Sequence, residues 1–100
     1  MRHQVGVEKI MWGNDFPHRE GCWPFSHEHL RLAFADLDQS EVAAMVGGNA
    51  ARVYGFDLDA LAPIAAEVGP SVSDVARPLD SSDIPDEALR CPAFALAKRQ

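Results

Sequence analysis

A chain of 100 residues allows one small domain, and its 47% apolar content is that of a globular protein. A formal net charge of −6, with 15 acids against 9 bases, argues against the basic face that nucleic-acid binding needs. No apolar run approaches the ~20 residues of a membrane span, and the opening MRHQVGVEK lacks the apolar core of a signal peptide.

Residues 1–6 are polar and read as a frayed start. The stretch VEKIMWGNDFPH that follows, residues 7–18, has two halves. Val7, Ile10, Met11 and Trp12 form a short β-branched and aromatic run that predicts a buried strand. Gly13, Asn14, Asp15, Phe16 and Pro17 then end the strand and open a loop. An acid just past the end of a buried strand is where α/β enzymes hold catalytic groups. The loop itself, residues 14–25, is rich in Gly, Pro, His and aromatic residues, and loops of this length are uncommon unless functional or disordered.

Ser26 is a good N-cap for a helix that places Leu30, Ala33, Phe34 and Leu37 on one face. Asp38 stands three residues before Glu41, as in a capping box, and opens a second helix. Its apolar stripe is Val42, Met45 and Val46, and Gly47 and Gly48 are expected to stop it. Asn49 is expected to cap a third short turn that ends at Gly55. Asp57 or Asp59 starts a fourth piece, LDALAPIAAEV, in which Pro63 must fall in the first turn or kink the helix.

After residue 70 the composition changes. Pro70, Pro78, Pro85 and Pro92 recur every seven or eight positions among Ser, Asp and short apolar groups. This pattern predicts an extended tail draped over a neighbouring surface, with one helical turn around residues 86–89. Residues 1–70 and 71–100 are therefore the two expected segments. The two cysteines, Cys22 and Cys91, form no C-x-x-C pair, so free thiols and a cytoplasmic setting are expected.

A single strand leaves its backbone donors and acceptors without partners, so the sequence reads as the end of a larger α/β protein. WGNDFPH (residues 12–18), EGCWPFS (20–26) and GGNAARVYGFD (47–57) together resemble the C-terminal end of the amidohydrolase-related metalloenzymes. The likeness extends to their aminocarboxymuconate-semialdehyde decarboxylase-like members and covers residues 7–70. It implies an α/β fold: the C-terminal fragment of a (β/α)8 TIM barrel, its last strand and closing helices, followed by the Pro-punctuated tail.

The resemblance further implies that Asp15 is the catalytic acid, binding a divalent metal, zinc in most members, or handling the proton of metal-bound water or substrate. His18 and Trp23 are the candidate substrate-binding residues, with Phe25 beside them; the alternatives are a metal contact or a structural hydrogen bond for His18, and packing under the loop for the two aromatic side chains. Asn49 and Arg52 are read as structural, and His27 and His29 as solvated helix positions. Cys22 has no paired histidine and is not read as a nucleophile.

The paired histidines that open the family's metal site have no counterpart here, and a barrel needs ~250 residues. The expected function is thus a fragment of a metal-dependent hydrolase or non-oxidative decarboxylase of small carboxylic or amide-like substrates, inactive by itself. Such a fragment would hold no metal tightly, and a complementary barrel chain or a second copy would complete it. The alternatives are a truncated non-catalytic protein and an interaction module that pairs through an exposed strand.

Overall fold

The computed structural model describes residues 1–99. In chain order the helices are α1 (Arg2–Val5), α2 (Ser26–Phe34), α3 (Gln39–Ala43), α4 (Asn49–Tyr54), α5 (Leu58–Val68), α6 (Val72–Val75) and α7 (Pro92–Lys98). Single 3-10 turns lie at Val7–Lys9, Ser81–Asp83 and Asp86–Arg90. Among the described residues there is no β-strand. This overturns the expected α/β class, the barrel-fragment architecture and the exposed strand on which edge pairing would depend.

The reason lies in where the backbone groups of residues 7–12 find partners. With no second strand, Val7–Lys9 closes into a 3-10 turn, with Ile10 N–H on the Val7 carbonyl at 3.3 Å. Side chains take the carbonyls that a neighbouring strand would have used. The Asn49 amide donates to Val7 O at 2.7 Å and to Ile10 O at 2.8 Å, and Arg52 donates to Glu8 O at 2.6 Å. The Trp12 N–H donates to Met45 O at 2.9 Å. Helical partners thus satisfy a segment whose composition favours a strand.

The chain divides into two units: Met1–Gly13 with Leu37–Ser71, and Asn14–Asp36 with the chain from Val72 onward. In the first unit, Asp38 caps α3 as its sequence predicts, accepting from Ser40 N–H at 2.8 Å. Gly47 and Gly48 do not stop the helix. Ala44–Gly48 widens into a π-helical turn in which Asn49 N–H reaches back to Ala44 O, and the helix runs on as α4. Asn49 is consequently buried inside a continuous helix rather than placed at its cap. Gly55 closes α4 in the left-handed conformation (φ 75°), where the missing Cβ costs nothing.

The α5 helix is capped by Asp57, which accepts from Ala60 N–H at 3.2 Å, and contains Pro63 in its interior. None of its residues is buried, although Leu58, Leu61, Ile64 and Val68 are all large and apolar.

The second unit is built around Cys22, Leu30, Ile84, Ala88, Cys91 and the fully enclosed Phe94. Here α2 packs on α6, and the Arg31 guanidinium donates to Arg77 O and Pro78 O at 3.2 and 2.8 Å. The segment after residue 70 is not the expected extended tail. Pro85 precedes the Asp86–Arg90 turn and Pro92 opens α7, positions at which a fixed φ favours helix and no N–H is needed. Burial of Ile84, Ala88 and Phe94 then supplies the hydrophobic gain that a solvated tail would lack. Among the described residues no helix is long and apolar enough to cross a membrane.

Candidate functional site

The loop that carries the expected site residues is tied at both ends by tight turns of the same form. His18 N–H donates to Asp15 O at 2.9 Å across a turn containing the cis Phe16–Pro17 peptide. Phe25 N–H donates to Cys22 O at 2.6 Å across the cis Trp23–Pro24 peptide. Between the turns, Gly21 N–H meets His18 O at 3.1 Å and Cys22 N–H meets Asn14 O at 3.3 Å. Gly21 is required by close approach: a Cβ there would sit 2.8 Å from the Asn14 carbonyl oxygen and 2.9 Å from that of Asp15.

Asn14 anchors the start of the loop. Its amide nitrogen donates to Ser26 Oγ at 2.7 Å and Cys22 Sγ at 3.1 Å, and its side-chain oxygen is buried without a protein partner. Neither Asn14 nor Gly21 stood out in the sequence as a site residue. Their signals are an Asn directly before the key acid and a Gly in EGCWPF, and both are too common to be read without the loop's shape.

Asp15 has φ 63°, in the left-handed region that Asp tolerates better than most residues. This conformation turns its carboxylate towards His18, whose Nδ1 lies 2.8 Å from Asp15 Oδ1. A carboxylate oxygen accepts in this contact, so Nδ1 is the donating nitrogen and Nε2 is left for other partners. The side chains are 61% and 71% exposed, so the pair is open to small molecules and screened by water. Sequence reasoning named both residues but not their pairing.

Trp23 is exposed and stands edge-on to Phe16, with ring centroids 5.0 Å apart and planes at 70°. The two rings form an apolar ledge on the same loop. Cys22 is buried, and burial pushes its thiol pKa up, partly offset by its hydrogen bond with Ser26. It is therefore a poor nucleophile.

His27 is exposed as expected. His29 departs from the solvated reading: it packs edge-on against Phe94 at 5.7 Å, and burial lowers its pKa from the usual 6.5. The first unit contains a shallow cavity of about 350 Å³, lined in part by Arg52, Phe56, Asp57 and Asp59. It holds none of the expected site residues. Arg52 is committed to the Glu8 carbonyl and Asp57 to capping α5.

A zinc centre needs three or four ligands. Asp15 and His18 supply two adjacent donors, and among the described residues no group of three or more His, Cys, Asp or Glu is arranged to hold an ion. The described residues therefore do not by themselves fit a metal centre.

No curated protein and no solved structure matches the chain. A family model described as Amidohydrolase matches residues 2–56, a span that contains the whole Asp15–Phe25 loop and α4. With more than half of its length matched, the chain belongs to the amidohydrolase family.

Proposed function

We propose that the chain serves a hydrolase or non-oxidative decarboxylase acting on a small carboxylic or amide-like substrate, as in the aminocarboxymuconate-semialdehyde decarboxylase-like branch. Asp15 and His18 are its proton-handling pair. The observation that carries this reading is the 2.8 Å contact between His18 Nδ1 and Asp15 Oδ1 inside the family-matched span.

The chemistry follows from the pair. Asp15 holds the ring with Nε2 outward and stabilises the imidazolium that forms when Nε2 takes a proton. Such a group deprotonates an attacking water in hydrolysis, or returns a proton to the carbon that loses carboxylate. Trp23 and Phe16 offer an apolar wall for the body of a small substrate. In this reading any divalent metal, zinc in the resembling enzymes, draws its remaining ligands from outside these residues.

The test uses nuclear magnetic resonance of the labelled chain with benzamide and benzoate as probes, alongside assays of amide hydrolysis and carbon dioxide release. Expected perturbations concentrate on residues 14–25 and are lost in Asp15→Asn and His18→Gln. Probe binding that leaves this loop unperturbed, or turnover that survives Asp15→Asn, overturns the assignment.

A further inference from the structure

Cys22 and Cys91 are far apart in sequence but belong to one unit, and both are buried there as free thiols. Two observations bring them together. The Arg90 guanidinium donates to Trp23 O at 2.8 Å, so the residues immediately beside the two cysteines are hydrogen-bonded to each other. The Cys91 thiol also acts electrostatically on Cys22, adding to the rise that burial imposes on its pKa. Neither thiol has a role in the proton-handling pair.

We propose that Cys22 and Cys91 form a reversible intramolecular disulfide, made by exchange with a small-molecule disulfide such as glutathione disulfide. The bond fastens the segment leading into α7 to the loop that carries Asp15.

The exchange balances in two steps. One cysteine loses its proton, and its thiolate attacks a sulfur of glutathione disulfide, giving a mixed disulfide and releasing one glutathione thiolate. The second cysteine loses its proton and its thiolate attacks the protein-side sulfur, releasing the second glutathione. Two protein thiols are oxidised by two electrons, one glutathione disulfide is reduced to two glutathiones, and the two protons pass to them. Burial keeps the Cys22 thiol protonated at neutral pH, so the folded chain exchanges slowly and faster as pH rises.

The consequence reaches the candidate site through Asn14. Reduced Cys22 accepts from the Asn14 amide at 3.1 Å and directs its S–H at the Asn14 carbonyl, 3.8 Å away. Oxidation removes that S–H and turns the sulfur towards Cys91. The residue that precedes Asp15 therefore changes its hydrogen bonds with redox state.

The experiment compares wild type, Cys22→Ala and Cys91→Ala after equilibration with glutathione disulfide, both folded and during refolding from denaturant. Refolding removes the kinetic barrier of burial. The expected wild-type product is monomeric, lighter than the reduced chain by about 2 Da with no glutathione attached. It yields a cross-linked peptide containing Cys22 and Cys91, and dithiothreitol reverses it. Each single variant stops at one glutathione adduct. Wild type that accumulates glutathione adducts, links between chains, or stays reduced under both conditions overturns the proposal.

Discussion

Two helices of similar composition meet opposite fates. In α7, PAFALAK, Phe94 is fully enclosed, whereas in α5, LDALAPIAAEV, every residue is exposed. The same contrast holds between the units that contain them. The second unit has an apolar centre of Leu30, Ile84, Ala88, Phe94 and two cysteines. In the first, burial is confined to Met45, Asn49 and Ala51, and the polar one of these carries the organising bonds. Apolar content alone therefore does not predict burial; it must be matched by a facing surface. Where that surface is lacking, a side-chain amide that pairs with backbone carbonyls takes over the ordering role.

The comparison is open to direct attack by mutation. Phe94→Ala should be the most damaging change, costing about 3–5 kcal/mol as expected for a fully buried aromatic side chain. Urea unfolding measures it, and a cost near zero would mean that the second unit is not held by its centre. Asn49→Ala should cost about 1–3 kcal/mol by depriving the Val7 and Ile10 carbonyls of their side-chain donor. If Asn49→Ala proves as stable as wild type, the first unit is ordered by something other than this amide.

His29 predicts a pH effect confined to the second unit. Burial lowers its pKa below 6.5, so the fold favours the neutral ring and the unfolded chain binds the proton first as pH falls. Its contribution is complete above pH 6.5 and is lost as pH falls from there through the lower folded value. Stability measured across that window should slope upward with pH in wild type and less so in His29→Gln. Equal slopes would remove His29 from the account. The smallest effect is expected on α5, where Ile64→Gln should change stability by no more than ~0.5 kcal/mol because the side chain already faces water. A large loss there would show that the face is covered in solution.

Local chemistry was legible from the sequence. Asp38, Asp57 and Gly55 act as helix signals because each relies on hydrogen bonds or backbone freedom within a few residues. The spaced motifs of residues 12–57 were enough to point to the amidohydrolase family, and Asp15 and His18 were visible as candidates within them. Their pairing was not, since it depends on the left-handed backbone at Asp15.

Tertiary structure decided everything that needed a distant partner. Residues 7–12 have strand composition, but a strand forms only where another supplies its ladder, and here Asn49, Arg52 and Met45 answer those backbone groups. Asn49 looked like a cap because caps are local, and its burial arises from carbonyls some forty residues earlier. The prolines after residue 70 punctuate an extended chain or start helices equally well, and burial of Ile84 and Phe94 selected the second outcome. Propensity is a short-range property, whereas pairing and burial depend on contacts that sequence position alone does not specify.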